Sequence, residues 1–91
     1  MLTIKFHNQF KRDLKLMLKR GCDENKLWRI VADLANEVPL PPNNRDHALV
    51  GNYSGFRECH IEPDWLLVYQ IQQEELLLIL TRTGTHADLD F

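Results

Sequence analysis

Three histidines, His47, His60 and His86, lie in the chain near Asp64 and two arginines, Arg57 and Arg82, each histidine beside a turn or a strand end. Imidazole exchanges protons near neutral pH, a carboxylate can orient it, and a guanidinium can hold phosphate charge. Together they suit general acid–base cleavage of a phosphodiester, in which one imidazole accepts a proton, another donates one, and arginine stabilises the phosphorane. Two plainer readings stay open at this level. Each histidine can be an ordinary polar residue of a half-exposed sheet. Imidazole and carboxylate also suit zinc and similar ions, although no close ligand spacing such as His-x3-His occurs. A Gly-rich phosphate loop, a nucleophile elbow and a His-Glu-x-x-His helix are all missing from the sequence.

The elements that must position these groups follow from periodicity. Leu2, Ile4 and Phe6 alternate with polar residues as in a short strand with one buried face. Asn8 is expected to cap a helix that carries Phe10, Leu14, Met17 and Leu18 at three- and four-residue spacing and stops at Gly21. A second helix from about Asp23 or Asn25 carries Leu27, Ile30, Val31, Leu34 and Val38 on one stripe, and Pro39, Pro41 and Pro42 end it. Residues 39–55 read as a long connection holding His47, with one short extended piece near Ala48 to Val50. An antiparallel meander follows over 56–62, 66–72 and 76–83. In its first strand Phe56, Glu58, His60 and Glu62 point one way and Arg57, Cys59 and Ile61 the other. The next two strands are apolar on both faces, so the sheet centre needs cover on both sides, two helices on one and the loop and tail or a partner chain on the other. In a meander the ends of the first and third strands lie close, which brings His60 toward Arg82 and His86. Pro63-Asp64 supplies the hairpin turn; Trp65 beside it reads as a core residue or as a platform for a stacked base.

With 91 residues the chain is read as one domain, 1–91, of ordinary globular composition at 44% hydrophobic and 26% charged. Cys22 and Cys59 make neither a disulfide framework nor a four-thiol zinc site, which fits a reducing compartment. The N-terminus has no signal-peptide pattern, and the longest apolar run, Leu76 to Leu80, is far below the roughly 20 residues of a membrane span, so a cytoplasmic protein is expected. Net charge is −2, but residues 1–30 hold eight Lys/Arg against three acids, and residues 31–91 three Arg against ten acids. A basic face on the helices could meet phosphates, or it is a solvated helix surface.

The stretches "DHALVGNYSGFRECHIEPDWLLVY" (Asp46–Tyr69) and "LTRTGTHADL" (Leu80–Leu89) closely resemble the YafQ branch of the RelE/ParE-like bacterial type II toxins, and the likeness runs through the whole chain in length and element order. The resemblance implies an α+β, RelE-like fold with two N-terminal helices packed on a twisted, mainly antiparallel sheet of about four strands. It implies a ribosome-dependent mRNA endoribonuclease, an mRNA interferase that inhibits translation, needs no cofactor or metal, and is held inactive by a cognate antitoxin protein. Its partners would be that antitoxin, mRNA and the ribosome. Matched residue by residue, His47 of Asp-His-x-Leu, His60, Asp64 of Pro-Asp-Trp and His86 of Gly-Thr-His form the catalytic set. Arg82, two residues before Gly84, is a phosphate contact; Arg57, Trp65 and Phe91 complete the substrate-binding set. The family's C-terminal aromatic follows the leucine of His-x-x-Leu directly, whereas here Asp90 precedes Phe91. A physical mechanism then available has the ribose 2′-OH as nucleophile, His47, His60 and Asp64 on the base side, His86 as the acid and Arg82 stabilising charge, the division of base and acid not being fixed by the sequence. Toxins of the same fold that bind DNA gyrase generally lack this histidine set. A gyrase-type binding protein, or a degenerate member surviving as its antitoxin's partner, is the alternative.

Overall fold

The computed structural model describes residues 1–89. Phe91 therefore lies outside the described residues. The order of elements is β1 (Thr3–Phe6), α1 (Asn8–Lys19), α2 (Glu24–Ala35), β2 (His47–Ala48), β3 (Arg57–Glu62), β4 (Trp65–Gln72), β5 (Leu77–Gly84) and α3 (His86–Leu89), with 3-10 turns at Pro42–Asn44 and Gly51–Tyr53. One five-stranded sheet runs β1-β5-β4-β3-β2. Only β1 is parallel to its neighbour β5; the other pairs are antiparallel. The expected α+β fold is present, and its fifth strand is β2, a two-residue piece too short for a period-2 pattern to show.

Both helices form for the reasons their apolar spacing suggests. α1 buries Phe10 and Met17, and Gly21 then takes a φ of +91°, which glycine adopts without steric cost. Asn8 is not the cap: His7 occupies that position without a side-chain bond, and Asn8 is the first helical residue. α2 starts where Asp23 accepts the N–H of Asn25 at 3.0 Å, and buries Leu27, Ile30, Val31, Leu34 and Ala35. It stops at Ala35, ahead of the prolines, because Glu37 turns left-handed at φ 58°; Val38 is left exposed.

β4 explains the layering. Five consecutive residues from Trp65 to Tyr69 are buried, so neither face is open to water. On the helix face Cys59, Trp65, Leu67, Tyr69, Leu78 and Leu80 pack with α1 and α2. On the other face Leu66 and Val68 are covered by Leu49 of the long connection, Phe56 and Leu89 of the tail. The chain's own loop and tail thus supply the second cover.

β4 is antiparallel to both β3 and β5, so the ends of β3 and β5 lie together at its start. The register puts His60 and Gly84 on either side of Leu66. A bulge between His60 and Glu62 leaves Ile61 outside the pairing and brings Glu62 opposite Trp65, closing the hairpin over Pro63 and Asp64.

Candidate active site

The convergence of strand ends seats Asp64 against the chain leaving β5. Asp64 Oδ1 accepts both the backbone N–H of His86, at 2.9 Å, and its ring Nδ1, at 2.5 Å. These bonds, backbone first and then ring, hold the Asp64 carboxyl below its ordinary range even though both side chains are exposed. With Nδ1 donated to the carboxylate, Nε2 is the nitrogen left for proton transfer. The ring of His60 lies edge-on to that of His86, centroids 5.4 Å apart. Asn44 fixes the strand beneath it, its Nδ2 donating to the His60 carbonyl at 2.8 Å.

His47 reaches the same region from the edge strand. Its partner across β2–β3 is Glu58, two residues before His60. His47 Nδ1 lies 2.7 Å from the Arg45 carbonyl and so donates to it, which turns Nε2 toward Glu58 Oε1 at 3.6 Å. The connection carrying His47 is pinned at Asp46, whose carboxylate accepts from the Tyr69 hydroxyl and from Arg57 Nε. Burial, aided by that carboxylate, pushes the Tyr69 phenol above its ordinary range. A cleft of about 520 Å³ lies between these parts, lined by His47, Tyr53, Glu58, Leu66, His86 and Leu89 among others.

Arg82 is tied down from the opposite layer. Asp13, on α1, accepts from Arg82 Nε at 2.6 Å and Nη2 at 3.3 Å, and from the Thr83 N–H at 3.2 Å. β1 pairs with β5 only as far as Leu80, so the Thr83 N–H lies past its end and Asp13 takes the partner's place. The Asp13 hydrogen bonds keep the guanidinium firmly charged, with smaller contributions from Tyr53 and Asp88.

Four of the expected residues, His47, His60, Asp64 and His86, thus gather around one end of the sheet. Two others do not join them. Trp65 is 1% exposed, and its indole N–H donates to Thr83 Oγ1 at 2.9 Å inside the main core, so it offers no face for a base. Arg57 alternates onto the helix face and pairs with Asp46, where it steadies the His47 loop and does not enter the cleft. Asp64 meets His86, so the expectation that it holds the base-side imidazoles changes to one in which it holds the third histidine.

The structure also shows residues that the sequence reading passed over. Glu58 was legible as a same-face neighbour of His60, two residues away. Asp13 and Arg20 carried no local signal, because their partners lie almost 70 residues away. Thr85 and Asp88 had one, the Thr-x-x-Asp spacing of a capping box. Among the described residues, no group of three or more His, Cys, Asp or Glu side chains converges as a metal-ligand set. No helix among the described residues is long and apolar enough to cross a membrane.

Two main helices packed on a five-stranded, mostly antiparallel sheet are the fold of the YafQ/RelE-like toxins. Residues 2–90 match the family described as bacterial toxin of type II toxin-antitoxin system, YafQ, and the chain belongs to that family. An mRNA interferase toxin YafQ of Escherichia coli (strain K12) is 44% identical over 87 residues, covering 94% of this chain and 92% of the relative. A metal-bound toxin from Helicobacter pylori has a solved structure with a TM-score of 0.92 at 48% identity, covering 98% of this chain and 99% of that one. A chain in the E. coli DinJ-YafQ complex has a TM-score of 0.88 at 42% identity, covering 98% of both chains.

Proposed function

We propose that this chain is an endoribonuclease toxin that cuts mRNA on the ribosome by acid–base chemistry, with His86 as the general acid. The observation that carries the reading is the Asp64–His86 pair: one ring nitrogen held by a carboxylate, the other left for proton transfer, beside His60. The family and the mRNA interferase activity named for the E. coli relative support it.

The reaction needs three things. A base removes the proton of the 2′-OH, and His60 and His47 are the groups proposed for that side. The 2′-oxygen then attacks the adjacent phosphorus, and a cation must balance the extra charge on the phosphorane; Arg82 takes this role, kept in orientation by Asp13. The P–O5′ bond breaks and the leaving oxygen takes a proton from His86 Nε2. Asp64, by holding Nδ1, orients the ring so that Nε2 is presented to the leaving oxygen. Glu58 Oε1 faces His47 Nε2 at 3.6 Å and orients that ring in turn.

The cognate antitoxin is the inferred protein partner, by analogy with the E. coli complex. Ribosome and mRNA are the substrate assembly, which puts the site of action in the cytoplasm. The test is controlled expression of wild type beside His86→Ala, with RNA 5′ ends mapped on translated and untranslated copies of one transcript. Cuts confined to the translated copy and lost in His86→Ala are expected. Growth arrest without cuts would sink the nuclease reading and favour a gyrase-type binding toxin.

A further inference from the structure

We propose that Arg20, acting through Asp88, is a positioning residue for His86, so that the end of α1 sets the geometry of the proton-donating group. The proposal rests on the reading of His86 as the general acid.

His86 opens α3, and a helix of a single turn does not hold its own direction in water. Its own contact, Asp64, stands on a two-residue turn with both side chains exposed. Leu89 seats the far end of α3 against Leu66 and Val68, and Asp88 fixes the end that carries His86. Asp88 Oδ2 accepts the Thr85 N–H at 3.0 Å while the Asp88 N–H donates to Thr85 Oγ1 at 3.1 Å, a reciprocal box around His86. That same carboxylate receives a fork from Arg20, Nη1 to Oδ2 at 2.5 Å and Nη2 to Oδ1 at 3.2 Å. Gly84 lets the box sit close to the strand: a Cβ there would lie 3.0 Å from Asp88 Cβ and 3.2 Å from Oδ2.

Arg20 has a firm base. It follows directly on α1, whose Phe10 and Met17 are in the core and whose Asp13, two turns earlier, ties Arg82 and the Thr83 N–H. Its Nη1 also rests on Met17 Sδ at 3.5 Å. One helix therefore holds both Arg82, the arginine proposed to balance phosphorane charge, and the mount of the acid.

A stability role explains the pair poorly. The two side chains are 42% and 27% exposed, and ion pairs at such sites contribute little to folding. A fork of two bonds between planar groups does fix direction, and lysine cannot reproduce it. The competing role for an exposed arginine on a basic face is direct contact with an RNA phosphate, which acts on binding and not on the proton-transfer step.

Single-turnover cleavage on mRNA-programmed ribosomes separates the two. Compared are wild type, Arg20→Met, Arg20→Lys, Asp88→Asn, the Arg20→Met/Asp88→Asn double variant and His86→Ala. Arg20→Met is expected to lower the saturating rate by ~10-fold or more with half-saturation moved less than ~2-fold, since misplacement of a reacting group is felt in the rate. Arg20→Lys should fall between it and wild type, and the double variant should be no slower than the slower single, as for two ends of one contact. A change in half-saturation alone, or rate losses that multiply in the double variant, would overturn the proposal. If Arg20→Met is unfolded at the assay temperature, Arg20→Lys decides: a slower rate at unchanged half-saturation supports the fork, and a wild-type rate overturns it. His86→Ala keeping the wild-type rate would instead remove the acid reading beneath it, whereas an inactive His86→Ala beside a wild-type Arg20→Met removes positioning alone.

Discussion

Asp64 is a turn residue whose carboxylate serves a histidine 22 positions later, and that makes it sensitive to pH. Its carboxyl titrates below the ordinary value in the folded chain, first because of the His86 backbone N–H and then because of the ring. The folded state therefore binds the proton more weakly than the unfolded state. The stabilisation is complete above the ordinary carboxylate range of about 4 and is lost as pH falls through the lower folded value. Unfolding followed across pH should show a small gap between wild type and Asp64→Asn that is present above about pH 5 and closes at lower pH. A gap that widened in acid would contradict this sign. Residue types alone named His47, His60, Asp64 and His86. They also named Arg57 and Trp65, which have the right chemistry but face elsewhere: Arg57 by strand alternation, and Trp65 because its indole fits the main core with a bonded N–H.

The pair β4–β5 is the element on which the site depends, and its key bond is buried. Thr83 Oγ1 accepts the Trp65 indole N–H and donates to the Leu66 carbonyl at 2.6 Å, with Thr83 itself 1% exposed. Thr83→Val keeps the shape and leaves both groups unpaired, so a loss of about 2 kcal/mol in unfolding free energy is expected. Adding Trp65→Phe to Thr83→Val should cost less than Trp65→Phe costs in wild type, because the stranded N–H goes with it; chemical denaturation of the four proteins checks this. At this scale the helices and three long strands were readable, since burial on one stripe or on both faces leaves a periodic trace. β2 was readable only as a short extended piece near Ala48 to Val50; it lies at His47–Ala48, and only its pairing with Arg57 and Glu58 sets its bounds. Leu76 marks another limit: apolar and counted with a strand, it instead closes the turn before β5 at φ 54° and is exposed.

Over the whole molecule the basic and acidic parts of the chain partly neutralise each other. Arg20 meets Asp88, Lys26 meets Glu62 at 2.7 Å, and Arg82 meets Asp13. Lys11, Arg12, Lys15 and Lys19 remain exposed on α1 with no ion pair among the described residues, as do Lys5 and Arg29 in the same basic segment. Binding to ribosomes should therefore weaken as salt rises, and Lys15→Met with Lys19→Met should lower the slope of log affinity against log salt by about 2 if each neutralises one phosphate. An unchanged slope would assign the RNA contact to another face.

The sequence by itself determined the fold class, the two helices and the four residues that gather at the sheet end, because apolar periodicity and a specific motif are local properties of the chain. The tertiary structure alone decided which carboxylate serves which imidazole, that Trp65 is core, and that α1 holds the site through Asp13 and Arg20. Most of those pairings join residues 18 to 69 positions apart. Strand order and register bring them together, and neither is written in the spacing of any short stretch.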